Sequence, residues 1–220
     1  MPREKLSDKI ARASKCVKLL KNSYPEAGCT LDFETVHQLM VATILSAQCT
    51  DERVNIVTPE LFHKYTSVED FARADLKKLA CDIHSTGFYN NKAKAIKLSA
   101  QQLLSRHEGK IPRTLNELTK LSGVGRKTGS VILGAGFDLA EGIVVDTHVL
   151  RISQRLRFTT KKDAIKVEGD LMKIIPQKDW IVYSHLMIFH GRAICKARRP
   201  ECTSCFLSSL CPSSTTKAVV

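Results

Sequence analysis

The sequence lacks a long apolar segment, an apolar leader and an excess of acidic residues. Its longest run without Asp, Glu, Lys or Arg covers residues 35–50, fewer than the roughly 20 residues that cross a bilayer, so we predict no membrane span. Lys and Arg number 34 against 22 Asp and Glu, a formal net charge of +12. Such a surplus favours a polyanionic partner, most simply nucleic acid. Hydrophobic residues make up 43% of the chain, enough for a buried core, which excludes general disorder.

Eight cysteines fall into two groups. The chain opens with MPREKLSDK, which resembles no secretion signal and predicts a cytoplasmic, reducing location where disulfides are disfavoured. Four scattered cysteines are predicted to be small buried hydrophobes: Cys16, Cys29, Cys49 and Cys81. The other four follow the pattern C-x6-C-x2-C-x5-C: Cys195, Cys202, Cys205 and Cys211. Four thiolates at short spacing indicate one metal centre, zinc or a [4Fe–4S] cluster, and the single CxxC favours the cluster.

Helices dominate the predicted secondary structure, since no segment shows a convincing alternation of apolar and polar residues. Ile10, Ala13, Val17 and Leu20 share one helical face, and residues 35–46 are apolar nearly all round. Asn90 is expected to cap one helix, and the Thr114-x-x-Glu117 capping box to open another. Helices are predicted around residues 10–20, 35–46, 51–62, 68–74, 76–81, 90–107, 114–120, 126–137, 146–156, 163–175 and 179–193.

A tight turn precedes the helix predicted to begin at Arg126. Gly123 and Gly125 permit close backbone approach, and Val124 between them would anchor the turn in the core. The free N–H groups of the helix start would hold a phosphate without any base contact. A plain connector between helices is the alternative, because a lone GxG pattern is weak.

Lys127 lies in the first turn of that helix, where a positive charge is unfavourable for the helix dipole. It is either a solvated phosphate-binding side chain or a nucleophile that forms a Schiff base. Positive potential from Arg126 and the helix start would favour its uncharged amine. Asp146 follows an apolar run and begins another predicted helix, either as an N-cap or as a carboxylate directed at a reacting centre.

Four motifs in register resemble those of a known family. LSGVGRKTGSVIL, VVDTHVLRI, HGRAIC and the four-cysteine tail are similar to the endonuclease III family, helix–hairpin–helix DNA glycosylases and abasic-site lyases with a [4Fe–4S] cluster. LSAQCTDERVN and GFYNNKAKAI resemble the two DNA-wedging segments of that family. The likeness runs from about residue 29 to Cys211.

The resemblance implies an all-α fold of two domains. A six-helix domain with the hairpin would span residues 29–139, and residues 1–28 with 140–220 would form the iron–sulfur cluster domain. The implied activity is that of a bifunctional DNA glycosylase and abasic-site lyase of base excision repair. It removes oxidised pyrimidines from duplex DNA, then cuts the strand 3′ to the abasic site by β-elimination. We expect it to act as a monomer on double-stranded DNA bearing a damaged base or an abasic site.

The resemblance also implies residue roles. Lys127 would attack C1′ of the damaged nucleoside, and Asp146 would assist lysine activation and stabilise charge developing at the sugar. Gln48 would fill the vacated space, with Phe88 as the second wedge where the family usually has an aliphatic residue. Cys195, Cys202, Cys205 and Cys211 would be the cluster ligands. Further DNA contacts are expected from Gly123, Val124, Gly125, Arg126, Thr128, His148, Lys196, Arg198 and Arg199.

Related activities and a non-catalytic function are the alternatives. Adenine glycosylases of this fold usually lack the lysine at position 127 and carry a further domain, and thymine-mismatch glycosylases commonly replace that lysine. Methylpurine repair by a relative is a further alternative. A DNA-binding module with a structural metal would keep the hairpin and the cysteines but would not require Lys127 together with Asp146. A zinc-bound scaffold is another alternative.

Ser122 departs from the family's usual proline, which predicts a less rigid turn.

Overall fold

The computed structural model describes residues 4–216 of the 220-residue chain. Across that range the regular elements are helices without any β-strand, which confirms the predicted all-α class. Within the same residues, no helix is both long and apolar enough to cross a membrane.

The α-helices are α1 (Leu6–Ser23), α2 (Val36–Leu45), α3 (Asp51–Lys64), α4 (Val68–Arg73), α5 (Leu76–Asp82), α6 (Tyr89–His107), α7 (Leu115–Leu118), α8 (Arg126–Phe137), α9 (Thr147–Arg155), α10 (Ala164–Met172) and α11 (Trp180–Ala193). Short 3₁₀-helices occupy His84–Thr86, Gln177–Asp179 and Ser208–Leu210.

The chain divides into two compact units. Thr30–Glu141 form the first, the hairpin unit, which contains α2 to α8. The described residues up to Cys29 and from Gly142 form the second, the cysteine unit, which contains α1 and α9 to α11. The predicted domain limits at residues 1 and 220 lie outside the described residues, as do the first three residues of the MPREKLSDK segment.

The helix α2 lies at the centre of the hairpin unit. Every residue from 39 to 45 is buried, as its apolar composition predicts. Thr35 and Gln38 form a reciprocal capping box that fixes its start. The helix α8 packs so closely on α2 that a Cβ at Gly136 would lie 2.8 Å from a Val36 methyl carbon. This packing holds the C-terminal end of α8 on a rigid core.

The core of the cysteine unit is built from α1, α9, α10 and α11. Ala13, Val17 and Leu20 of α1 are buried as predicted, but Ile10 is 39% exposed, so the predicted apolar face is one turn too long. Tyr183 of α11 is fully buried, and its hydroxyl lies 3.2 Å from that of Ser153 on α9. The pair satisfies two buried hydroxyl groups and ties α9 to α11.

One predicted helix start was wrong, and another was confirmed with only part of its predicted cap. The helix α6 begins at Tyr89, so Asn90 lies inside its first turn, and Phe88 is the N-cap with a left-handed φ of 48°. Thr114 caps α7 by accepting a hydrogen bond from the Glu117 N–H. The Glu117 carboxylate, however, accepts the Thr114 hydroxyl at 2.6 Å instead of bonding the backbone N–H of Thr114, so only half of the predicted capping box is present.

The prediction for the scattered cysteines holds for one of the four. Cys16 is fully buried in the core of the cysteine unit, which confirms the prediction there. Cys29 and Cys49 are only half-buried, and Cys81 is exposed, so the prediction is wrong for Cys81. Cys81 lies on the short helix α5, whose buried side is formed by Leu79 and Ala80.

His37 on α2 is enclosed by apolar neighbours. Its ring meets Phe71 edge-on, with ring centroids 5.4 Å apart, and its Nε2 is buried without a hydrogen-bond partner in residues 4–216. Burial lowers the pKa of His37 from 6.5 to about 4, an effect that Glu69 partly opposes. The neutral ring is therefore the form that the fold accommodates.

This burial predicts acid sensitivity. Between pH 6.5 and 4 the unfolded chain binds a proton at His37 that the folded chain does not, so the free energy of unfolding should fall as the pH falls. His37→Phe should remove this dependence, which amounts to about 1.4 kcal/mol per pH unit. Urea unfolding of both proteins at pH 7 and pH 5 measures it. Equal pH dependences in the two proteins would contradict the assignment.

Candidate functional site

The predicted hairpin is a tight turn pressed against α6. Gly123 has a φ of +76°, and a Cβ there would lie 2.8 Å from the Cβ of Ala95. Only glycine satisfies both the left-handed backbone and the close approach. Val124 is 4% exposed, which confirms that it anchors the turn in the core.

Ser122 restrains the same turn through a backbone hydrogen bond, whereas a proline would restrain it through its ring. Its backbone N–H donates to the Gln102 side-chain oxygen of α6 at 2.8 Å. A proline has no N–H and could not make this bond. The turn is therefore restrained by a hydrogen bond to a neighbouring helix, which replaces the restraint of a ring.

The start of α8 is open to an external acceptor. Gly125 is the N-cap, and no side chain caps the helix. Arg126 and Lys127 are exposed, and Thr128 is half-buried. The uncapped N–H groups, the positive end of the helix dipole and two adjacent cationic side chains together favour an anion at this end.

Two exposed side chains of the hairpin unit lie on separate turns. Gln48 follows α2, and Phe88 precedes α6. Both have left-handed backbone conformations, with φ of 54° and 48°. Phe88 is 61% exposed although it is a large aromatic residue. An exposed side chain on a strained backbone turn is typical of residues that contact a binding partner.

Asp146 is the N-cap of α9 in the cysteine unit. Its Oδ1 accepts a hydrogen bond from the Val149 N–H at 2.8 Å, which confirms the capping interpretation. The bond fixes the orientation of a half-buried carboxylate. Only Oδ1 makes the capping bond, so the second carboxylate oxygen of Asp146 is not needed for the cap.

His148 and Arg151 connect the start of α9 to the first clustered cysteine. The Arg151 guanidinium lies 3.2 Å from His148 Nδ1, 3.3 Å from the Gly191 carbonyl oxygen and 3.0 Å from the Cys195 carbonyl oxygen. A Cβ at Gly191 would collide with the His148 ring, so α9 and α11 approach closely only because that residue is glycine. Burial lowers the pKa of His148, and Arg151 adds to this while Asp146 opposes it.

The four clustered cysteines line one cavity. Cys195, Cys202, Cys205 and Cys211 surround it, with Ile152, Leu156 and Ile194 among its apolar walls, and its volume is about 470 Å³ including space open to solvent. In the described part of the chain, no three His, Cys, Asp or Glu side chains converge closely enough for a single metal ion. Hydrogen bonds from Thr215 lower the pKa of Cys202, whereas burial raises that of Cys205.

Arg155 holds both the first of these cysteines and the loop that follows. Its guanidinium lies 3.2 Å from Cys195 Sγ and donates to the carbonyl oxygens of Lys196 and Ala197 at 2.8 and 2.9 Å. Sequence reasoning missed Arg151 and Arg155. Their four-residue spacing on α9, one helical turn apart, was the available signal.

The loop of residues 196–200 presents its cationic side chains to solvent. Lys196, Arg198 and Arg199 are all exposed. The Lys196 ammonium lies 2.6 Å from a Glu201 carboxylate oxygen, so part of its charge is compensated. Arg198 and Arg199 are therefore the stronger candidates for contacts with an external anion.

The predicted site residues are distributed over both units. Gln48, Phe88 and the hairpin with Lys127 belong to the hairpin unit. Asp146, His148, the basic loop and the four cysteines belong to the cysteine unit, where bonds from Arg151 and Arg155 connect His148 with Cys195 and the basic loop.

Comparison with known proteins defines the class of protein. Residues 41–177 match the model of the HhH-GPD superfamily of base excision DNA repair proteins. The sequence is 49% identical to endonuclease III of Synechocystis sp. (strain ATCC 27184 / PCC 6803 / Kazusa), over 96% of each chain.

The fold gives the same result. The structure is similar to a non-covalent endonuclease III–DNA complex, with a TM-score of 0.87, 42% identity and coverage of 93% of this chain and 96% of that one. A trapped endonuclease III–DNA covalent intermediate matches with the same values. The chain belongs to the HhH-GPD superfamily and, within it, to the endonuclease III family. That family is known to carry a [4Fe–4S] cluster.

Proposed function

We propose that the chain is a bifunctional DNA glycosylase and abasic-site lyase that removes oxidised pyrimidines from duplex DNA during base excision repair. The observation that carries this proposal is the exposed Lys127 on an uncapped helix start directly after a glycine hairpin. The same turn of helix offers N–H groups for a phosphate and an amine for the sugar beside it. The existence of a trapped covalent DNA intermediate of a related endonuclease III supports covalent chemistry.

The proposed reaction uses an amine and a carboxylate. The Lys127 amine attacks C1′ of the damaged nucleoside, and the C1′–N bond to the base breaks as the base leaves. Asp146 stabilises the positive charge that develops at the sugar, with its orientation fixed by the bond to the Val149 N–H. The C1′–O4′ bond then breaks as the nitrogen loses a proton and O4′ gains one, which opens the sugar ring and gives the Schiff base. The Schiff base loses a C2′ proton, and the C3′–O bond breaks to release the 3′ side of the strand. Water finally hydrolyses the imine and restores the lysine.

The proposed DNA contacts divide by what they touch. The hairpin and the start of α8 hold phosphates, as does the basic loop of residues 196–200. Gln48 and Phe88 enter the duplex where the damaged nucleotide is extruded, because chemistry on a paired base requires its removal from the stack. Because the relative from Synechocystis sp. is a bacterial protein, we propose that the reaction takes place in the cytoplasm on chromosomal DNA and that the enzyme acts as a monomer.

We propose that the four cysteines around the cavity hold a [4Fe–4S] cluster. Four thiols from one short segment surround a common space, and a cubane takes one thiolate at each of its four irons. The bound cluster would supply a rigid four-point fastening for the segment from Cys195 to Cys211. This fastening would hold the basic loop in place together with Arg155.

Cluster content is directly measurable. The purified protein should be yellow-brown and contain about four irons and four sulfides per chain. Cys205→Ser should lose most of the iron, whereas Cys81→Ser should keep it, because Cys81 is exposed and lies outside the cavity. Iron and zinc analysis, together with the visible absorption spectrum, distinguishes a [4Fe–4S] cluster from bound zinc. Stoichiometric zinc without iron would contradict the cluster and favour the zinc-bound scaffold.

The lysine mechanism predicts a covalent complex. Wild-type protein and a duplex with one thymine glycol should give a borohydride-trapped band, as should an abasic-site duplex. Lys127→Ala should lose both bands by at least about a hundredfold, since no imine can form. Lys120→Ala is the matched control, an exposed lysine just before the hairpin. A band on the abasic duplex alone would move the base specificity to another lesion, such as a methylpurine. No band with either duplex would favour the non-catalytic binding module.

The basic loop predicts a change in salt dependence. The Lys196→Ala/Arg198→Ala/Arg199→Ala variant should bind duplex DNA more weakly. Its log–log slope of affinity against salt should be shallower by about 2 units, and by at most about 3 if Lys196 contributes fully. Lys161→Ala/Lys162→Ala/Lys166→Ala is the control, with the same loss of charge from exposed positions of the same unit. Equal slopes in the two triple variants would refute the loop contact.

A further inference from the structure

Lys92 is a buried lysine that no step of the proposed reaction uses. It lies in the first turn of α6 and is only 5% exposed. Its Nζ donates to the Leu45 carbonyl oxygen at 2.7 Å and to the Thr86 carbonyl oxygen at 2.8 Å. These two partners are backbone groups from separate elements of the hairpin unit.

Both partners lie immediately before the exposed turns. Leu45 is the last residue of α2, three residues before Gln48. Thr86 ends the 3₁₀-helix, two residues before Phe88. The backbone N–H of Lys92 also donates to the Phe88 carbonyl oxygen at 3.0 Å. One residue thus connects the anchor points of both turns.

The chemistry of Lys92 fits a role in positioning better than a role in stability. Burying an ammonium group is unfavourable, and an apolar side chain of similar size often stabilises a core equally well. A lysine adds two directional bonds that an apolar residue cannot make. Those bonds fix the turns in which Gln48 and Phe88 adopt left-handed backbone conformations. Such conformations persist only where the surrounding structure restrains them.

We propose that Lys92 is a positioning residue that fixes the spacing of Gln48 and Phe88, so that both side chains enter the duplex at one lesion and extrude its nucleotide. The inference rests on the proposed function, in which these two residues are the wedges. Lys92 acts on extrusion and leaves the sugar chemistry to Lys127. Its loss should therefore matter most where a paired and stacked base opposes extrusion.

The chain provides a matched control on the same helix. Lys97 of α6 donates to the Ala74 carbonyl oxygen at 2.7 Å, so it also fastens a backbone carbonyl within the hairpin unit. That carbonyl lies between α4 and α5, which carry neither Gln48 nor Phe88. Lys97→Met removes an equivalent bond without touching the anchor points of either turn.

The test compares two duplexes under single-turnover conditions. One carries thymine glycol opposite adenine, and the other carries an abasic site, which has no base to unpair or unstack. Cleavage rate constants are measured for wild type, Lys92→Met and Lys97→Met, together with their melting temperatures. A 2-aminopurine beside the thymine glycol reports extrusion by its fluorescence.

For Lys92→Met, the ratio of the thymine glycol rate constant to the abasic-site rate constant should fall at least tenfold, and the fluorescence rise should shrink with it. For Lys97→Met, the ratio should stay within twofold of wild type even if the melting temperature falls equally. If Lys92→Met is too unstable to assay, Lys92→Leu, which also lacks a donor group, is measured with the same two duplexes and the same criterion.

A ratio within twofold of wild type for the Lys92 variant would overturn the positioning role while the proposed function stands. An equal fall for Lys97→Met would also overturn it, because loss of any lysine–carbonyl bond on α6 would then suffice. Wild-type protein that neither cleaves nor is trapped on the abasic duplex would overturn the proposed function itself.

Discussion

The site depends on the approach of the Gly123 turn to α6. With a φ of +76° and only 2.8 Å between a hypothetical Cβ and that of Ala95, no other residue fits the turn without displacing the helix. The turn directs the uncapped start of α8, and Lys127 with it, to solvent. A side-chain cap would satisfy these N–H groups internally and remove the attraction for a phosphate. Local helix stability is thus given up where an external anion can replace the cap.

A second principle recurs around the candidate site. Long cationic or amide side chains reach from helices to backbone groups near the predicted site residues. Gln102 reaches the hairpin, Lys92 reaches the carbonyl groups that precede the turns of Gln48 and Phe88, and Arg151 and Arg155 reach the segment that begins at Cys195. Backbone groups are present at every residue, so these bonds fix a turn without constraining which side chain it presents. This arrangement holds exposed residues such as Phe88 in strained backbone conformations while leaving their side chains exposed to solvent.

The sequence predicted features that depend on local pattern or on short spacing. The apolar run of α2, the cap at Asp146 and the buried Val124 are of this kind, and so is the joint lining of one cavity by four closely spaced cysteines. Features that depend on distant segments were not predictable. The bond from Lys92 to Leu45 joins residues 47 positions apart, and no propensity encodes it. The left-handed Phe88 displaced the expected cap at Asn90 because the preceding turn sets the start of α6. Cys81 was misjudged because composition cannot tell which side of a short helix faces the core.

The central claim is that Lys127 becomes covalently attached to the sugar of the lesion. Borohydride-reduced complexes with thymine glycol DNA can be digested with nuclease and protease and mapped by tandem mass spectrometry. The account predicts a reduced sugar–phosphate adduct on Lys127 and on no other lysine. An adduct on a different residue, or none in folded protein that binds the duplex, would contradict it.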